Sequence, residues 1–229
     1  MIDEAIILAG GLGRRLRSVV SELPKCLAPV NGRPFLSFLI DHLQKQGISK
    51  FIFSLGFKHE AIANFLQENY DAVSYELSIE YEPLGTGGAI LLSLSKAKND
   101  DVLICNGDTL FTVNTELLSH FHQEKKSACT IALKPMKNFS RYGAVDLDEQ
   151  NVIKAFREKA LCKKGLINGG VYILNATDFT KKPFPEKFSF ETDYLEKYVA
   201  ENNFFGQVQD EYFIDIGVPE DYLKAQREL

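Results

Sequence analysis

Leu8-Ala9-Gly10-Gly11-Leu12-Gly13-Arg14-Arg15-Leu16-Arg17, with Leu23-Pro24-Lys25 close behind, follows an apolar run from Ile2 to Leu8 that is interrupted by Asp3 and Glu4. An apolar strand thus opens directly into a glycine loop. Glycines without side chains let backbone N–H groups approach an anion closely. Arg14, Arg15, Arg17 and Lys25 add positive charge around the same loop, and such groups bind phosphate well. Polyphosphate is the ligand this chemistry suits. The plain alternative, a tight turn with solvated arginines, accounts poorly for three arginines and a lysine around one loop.

Two familiar nucleotide loops do not fit. The dinucleotide fingerprint G-x-G-x-x-G needs a third glycine where Leu16 stands, and an acidic residue at the end of the second strand. That strand, Phe51 to Leu55, ends instead in Gly56-Phe57. The Walker string G-x-x-x-x-G-K-[ST] occurs nowhere in the chain.

Outward from the loop, strand candidates at 2–8, 51–55, 74–81 and 102–105 alternate with helix candidates at 34–46, 58–70, 85–96 and 114–125. Pro34 suits the first position of its helix and Gly47 the position just past its end. Phe35, Phe38, Leu39, His42 and Leu43 then form one apolar stripe. Asn114 or Thr115 can cap the fourth helix. This alternation predicts an α/β fold, a Rossmann-like, mainly parallel sheet with helices on both faces. After about Ser127 the pattern shifts to strands at 128–133, 143–147, 152–157 and 166–174, with a hairpin turn at 148–151 and a proline loop at 181–185. A helix at about 191–201, a last strand at 212–214 and a helix from Pro219 complete the chain. The 229 residues read as a single domain with halves 1–126 and 127–229.

A net charge of −5 makes the cationic loop a local feature and argues against general nucleic-acid binding. No apolar run reaches the roughly 18–20 residues of a membrane span, and the N-terminus does not read as a signal peptide. Cys26, Cys105, Cys129 and Cys162 lack C-x-x-C spacing, which points to free thiols in a reducing cytoplasm. His120 and His122, two apart on a helix, do not share a face.

The chain resembles the sugar-phosphate nucleotidyltransferases. The opening loop with Pro24-Lys25 is similar to their L-A-G-G-x-G-T-R-L…P-K-P signature, and further segments follow in the family order. They are Glu82-Pro83-Leu84-Gly85-Thr86-Gly87-Gly88-Ala89, Asn106-Gly107-Asp108, Arg141-Tyr142-Gly143-Ala144-Val145, Glu158-Lys159, Asn168-Gly169-Gly170-Val171-Tyr172, Glu191-Thr192-Asp193 and Asp215-Ile216-Gly217. The short length and the Asn-Gly-Gly-Val-Tyr and Phe-Glu-Thr-Asp segments look most like the heptose 1-phosphate guanylyltransferases. Arg14 replaces the usual Thr or Ser, Ser18 the usual proline after Leu-Arg, and Cys26 and Ala160 the prolines after Lys25 and Lys159. None of these changes removes a charged group. The resemblance implies a single nucleotidyltransferase domain, its first half for nucleotide and its second for sugar phosphate, without the C-terminal β-helix of larger members.

The reaction implied is attack of a sugar 1-phosphate oxygen on the α-phosphorus of a nucleoside triphosphate, with pyrophosphate leaving. Such transfer needs in-line positioning and charge neutralisation. By this resemblance Arg15 and Lys25 are catalytic, Arg15 holding the β- and γ-phosphates and Lys25 stabilising charge at the α-phosphate. Leu8, Ala9, Gly10, Gly11, Gly13, Arg14, Glu80, Pro83, Gly85 and Thr86 would bind nucleotide. Gly143, Lys159, Asn168, Gly169 and Glu191 would bind the sugar phosphate, and Asp108 and Asp215 would hold Mg²⁺; the plain readings are a turn at Gly107-Asp108 and a helix terminus or an arginine as the partner of Asp215. A carboxylate at Glu80 or Glu82 pairs with guanine N1–H and N2–H₂, which favours GTP; alternation around Tyr81 equally describes plain exposed strand positions. Glu191 has its own plain reading, a first-turn carboxylate favoured by the helix dipole. Mannose, glucose or N-acetylmuramic acid 1-phosphate are the alternative acceptors, and a nucleotide-sugar sensor without turnover the alternative class. A metal-dependent glycosyltransferase would carry D-x-D, and only one carboxylate stands in Asn106-Gly107-Asp108.

Overall fold

The computed structural model of the protein describes residues 2–11, 16 and 23–229. Gly13, Arg14, Arg15 and Arg17 of the opening loop lie outside the described residues.

Strands β1 (Glu4–Leu8), β4 (Lys50–Leu55), β5 (Ser74–Ile79), β6 (Asp101–Asn106), β8 (Cys129–Phe139), β11 (Cys162–Asn175) and β12 (Phe204–Val208) form one sheet in the order β12-β8-β11-β6-β1-β4-β5. Around it lie the short pairs β2 (Pro29–Val30) with β3 (Arg33–Pro34), β7 (Thr109–Phe111) with β13 (Phe213–Asp215), and β9 (Val145–Leu147) with β10 (Ile153–Phe156). The helices are α1 (Phe35–Lys45), α2 (His59–Asn69), α3 (Gly85–Leu94), α4 (Thr115–Lys125), α5 (Ala176–Thr180) and α6 (Pro219–Glu228). No β-helix is formed by the described residues.

Side chains alternate across a strand, and in β1 that alternation divides the two cores. Ile6 joins Ile52 of β4 and Ile104 of β6 on one face, against Ile90 and Leu94 of α3 and the aromatics Phe179, Phe188, Phe190, Tyr194 and Phe204. Ala5 and Ile7 join Phe51, Phe53, Leu103 and Cys105 on the other, against Phe35, Leu36, Leu39, Ile40 and Leu43 of α1 and Ile62 and Leu66 of α2. Burying one such aliphatic side chain contributes about 1.5–3 kcal/mol, so both faces need their helices.

Within the main sheet β11 alone runs against its neighbours, antiparallel to β6 and β8, while β1, β4, β5 and β6 are mutually parallel and β12 is parallel to β8. The carboxyl ends of the parallel strands therefore share one edge. Because β11 is reversed, its Asn168–Gly170 stretch reaches the same edge, next to Cys105 and Asn106; the pairing register shifts there between Asn168 and Tyr172.

The helix boundaries of the first half fall within a residue or two of expectation, with Asn114 Oδ1 accepting from Leu117 N at 2.9 Å as the α4 cap. Pro34 stands one residue earlier than its expected N1 position: it pairs with Pro29 in the β2–β3 hairpin and flanks α1 with ψ 136°. β8 and β11 are longer than hydropathy suggests, because Lys134 to Phe139 and Cys162 to Ile167 pair beyond the buried sheet with half-polar sequence. β12 was not expected. Its Phe-Phe-Gly-Gln-Val sequence does not alternate. The helix expected at 191–201 is a π-helical turn over Glu191–Glu196 followed by a short 3₁₀ turn at Val199–Glu201.

Candidate active site

Two clefts open along the shared edge. The first, about 710 Å³, is walled by Leu8 to Gly11 after β1, Ser54, Gly56 and Phe57 at the end of β4, Glu80, Tyr81 and Pro83 after β5, and Gly85, Thr86 and Ala89 of α3. The second, about 580 Å³, is walled by Arg141 to Val145, Phe156 to Lys159, Asn168, Gly170 and Tyr172, with Leu195, Glu196 and Asp215. Asn106 and Glu191 belong to both walls. Lys25 and Asp108 stand in the first and Asp215 in the second, so the clefts meet at these three charged groups.

Sequence places Asp108 and Asp215 more than a hundred residues apart; the β7–β13 pair joins them. Asp215 registers opposite Thr109, and Ile216 N donates to Asp108 O at 3.1 Å. Lys25, in a 3₁₀ turn over Lys25–Leu27, donates to Asp108 Oδ2 and lies 3.7 Å from Asp215 Oδ1. Arg141 approaches Asp215 Oδ2 at 3.6 Å and pairs with Asp221 at the start of α6. Burial and the charge of Asp108 push the Asp215 carboxyl above the usual aspartate range; Lys25, the Gly217 amide at 2.7 Å and Arg141 pull it back. Two carboxylates crowded together in this way call for positive charge. No group of three or more His, Cys, Asp or Glu residues suited to a metal occurs among the described residues. Asp108 and Asp215 are two hard-oxygen groups that could hold a divalent metal, with further positions left to phosphate and water. Cys26 is no nucleophile: burial and Asp108 push its thiol up to about 12.

On the first cleft, Glu80 Oε2 accepts from Leu84 N at 3.0 Å. Its Oε1 lies so near Gly10 and Gly56 that a Cβ on either would approach within 2.9 Å and 2.8 Å. Glu80 is therefore fixed at the cleft wall, whereas Glu82 is exposed and outside it. Gly85 adopts φ +76°, open to glycine at little cost, and a Cβ there would come within 2.4 Å of Phe188 O. Gly87 N donates to Phe188 O at 3.0 Å, and Phe188 N to Leu84 O at 2.9 Å. Much of the Gly-Thr-Gly-Gly run thus seats the 186–190 segment on α3 rather than facing a ligand.

Thr86 ties the two clefts together. Its Oγ1 donates to Glu191 Oε2 at 2.8 Å and accepts from Phe190 N at 2.8 Å, while Ser189 Oγ donates to the same Glu191 oxygen at 3.0 Å. On the second cleft, Asn168 Oδ1 accepts from Gly170 N at 2.9 Å, and Gly170 takes φ +70° against Asn106. Gly169 lies off both walls, beneath the Phe111 ring. Gly143 is on the wall, and exposed Lys159 makes no ion pair among the described residues. Arg141, quoted within a motif but given no role, and Tyr81, 85% exposed on the rim beside His59, are added by the geometry. Arg141's place in the Arg141–Val145 motif was the signal that could have found it; Tyr81 carries none beyond its residue type.

Comparison with known proteins bears on this site. Residues 4–229 match the family described as nucleotidyl transferase. The chain is 52% identical over 226 residues to the D-glycero-alpha-D-manno-heptose 1-phosphate guanylyltransferase of Aneurinibacillus thermoaerophilus, covering 99% of this chain and 98% of that protein. To the protein of the same name from Campylobacter jejuni it is 44% identical, covering 96% of each. HddC from Yersinia pseudotuberculosis, solved in complex with GMP-PN, superposes with a TM-score of 0.89 at 34% identity, covering 99% of both chains.

Proposed function

The chain belongs to the nucleotidyl transferase family, and from that premise we propose that it transfers the guanylyl group of GTP to D-glycero-α-D-manno-heptose 1-phosphate, releasing pyrophosphate. The GDP-heptose formed is a donor for surface polysaccharide synthesis. The observation that carries this reading is the meeting of two clefts at Lys25, Asp108 and Asp215, with Glu191 and Asn106 on both walls. One cleft takes the triphosphate and the other the sugar phosphate, and reaction occurs where they join. The relatives supply the substrates' identity.

The chemistry asks for alignment and charge, not a covalent partner. A phosphate oxygen of the sugar 1-phosphate forms the new bond to the α-phosphorus as the bond to the pyrophosphate oxygen breaks, so no proton need move. The N–H groups after β1 at Gly10 and Gly11, with Arg14 and Arg15 from the same loop, hold the β- and γ-phosphates. Lys25, already inside the junction, is the cation for charge developing on the α-phosphate. Lys159, without an ion pair among the described residues, is the cation for the sugar phosphate, and Glu191, braced by Thr86 and Ser189, accepts from sugar hydroxyls. Glu80 presents its carboxylate to guanine N1–H and N2–H₂, and Tyr81 offers an aromatic face to the purine. Asp108 and Asp215 would hold Mg²⁺, which when bound neutralises phosphate charge and orients the triphosphate.

No helix among the described residues is long and apolar enough to cross a membrane, and Cys26, Cys105, Cys129 and Cys162 are free thiols; the thiols support work in the cytoplasm. The test is to incubate the pure protein with Mg²⁺, each NTP and a panel of sugar 1-phosphates. Pyrophosphate is expected with GTP and heptose 1-phosphate. No pyrophosphate with any pair would refute nucleotidyl transfer.

A further inference from the structure

Resting on that reading, we propose that Glu196 is a second sugar-reading carboxylate, which accepts hydrogen bonds from the terminal vicinal diol that a heptose has and a hexose lacks. Glu196 falls outside every motif that marks the chain, yet it stands on the wall of the sugar-side cleft with Glu191 and Leu195. Backbone geometry puts it there. In an α-helix residues three and four apart share a face, so a residue five after Glu191 would turn away from it. The turn over Glu191–Glu196 is π-helical, and its widened i→i+5 bonding stacks residues five apart on one side. Both residues thereby line one cavity.

The turn comes at a cost. π-turns are rare and concentrate at functional sites. Within this one the hydroxyl of fully buried Tyr194 has no hydrogen-bond partner among the described residues, which is unfavourable. Departures from regular geometry of this kind persist where function requires them.

The chemistry fits the extra carbon. A D-glycero-D-manno-heptose carries the ring of mannose with one further CHOH unit, so its tail ends in a vicinal diol. An ionised carboxylate has two oxygens, accepts only, and can take both hydroxyls. Glu191 already receives Thr86 and Ser189, whereas exposed Glu196 makes no hydrogen bond or ion pair among the described residues. Half-buried Phe156 on the same wall gives the carbon chain apolar surface.

The test compares Glu196→Ala and Glu196→Gln with the unaltered protein, measuring kcat and KM for GTP, heptose 1-phosphate and mannose 1-phosphate. Losing hydrogen bonds to a charged group should raise the KM for heptose 1-phosphate about 10- to 100-fold in Glu196→Ala. The KM for GTP should not change, the kcat/KM for mannose 1-phosphate, whose single exocyclic hydroxyl can make one of the two bonds, should fall less than that for heptose 1-phosphate, and Glu196→Gln, which keeps one acceptor oxygen, should fall between. Equal losses with both sugars, or no loss, would overturn the assignment while leaving the overall reaction standing. An unaltered protein that uses mannose 1-phosphate and ignores the heptose would overturn the acceptor reading, and this inference with it.

Discussion

Thr86→Val removes one oxygen that serves both clefts. The hydroxyl accepts from Phe190 N at 2.8 Å and donates to Glu191 Oε2 at 2.8 Å. Valine keeps the shape but can do neither. An intramolecular hydrogen bond contributes about 0.5–1.5 kcal/mol net, and one to a charged group about 1.5–3 kcal/mol. Thr86 is exposed, so water can replace part of both, and the low end of each range applies. The sum is about 2 kcal/mol. For a domain of this size that is a fall in Tm of roughly 4–8 °C. The functional effect should be broader than the position suggests. Among the described residues Glu191 then keeps only Ser189 as a side-chain donor, and it lines both cavities. KM should rise for GTP and for the sugar phosphate together, and Thr86→Ser should restore both. Thermal unfolding and steady-state pyrophosphate release measure these quantities. A Thr86→Val protein with wild-type Tm and both KM values unchanged would show that the hydroxyl does not clamp the junction.

Three further outcomes follow from the geometry. Glu80→Gln should lower kcat/KM for GTP about 10- to 100-fold without a matching loss for UTP in an NTP panel. Asp215→Asn relieves a carboxylate that burial and Asp108 destabilise, so turnover should fall ~100-fold or more while Tm is no lower than wild type. At the far edge of the sheet, burial pushes the Glu4 carboxyl up, but the Asn99 and Lys98 amides and Lys50 outweigh it and hold it below the usual 4.5. A lowered folded value gives stability that is present above the unfolded pKa and lost as pH falls through the folded one. Glu4→Gln should accordingly lower Tm at neutral pH, with the gap to wild type closing below about pH 4 in a pH series of melts.

The legible parts of this fold were those governed by local pattern. Strands β1, β4, β5 and β6 and the helices between them follow from runs of apolar residues and from caps such as Asn114. The convergence of Gly10, Glu80 and Asp108 on one crevice follows from parallel strands ending on one edge. The contacts that make the site were not legible, because they cross the chain. Lys25 meets Asp108 over 83 residues, and Thr86 meets Glu191 over 105. Gly87 looks like a backbone made bare for a ligand; a Cβ there would come within 2.2 Å of the Phe188 ring, a fact that no spacing announces. The π-turn is hidden for a different reason: helical propensity does not distinguish i→i+4 from i→i+5 bonding, so nothing in the sequence separates Glu196 from a solvated helix residue.

The reversed strand β11 has a mechanical consequence. Val171 to Asn175 register against Cys105 to Asp101, while Tyr172 to Leu174 register against Ile131 to Cys129 on the other side. Residues 1–126 and 127–229 are thus riveted through a strand in the middle of the sheet. Severing the chain near 126 would leave β6 with a raw edge, and neither fragment should melt as an independent cooperative unit. Substrate entry and product escape cannot come from two lobes swinging apart without tearing that ladder. They are left to the segments that overhang the strand ends, loops anchored on a stiff plate.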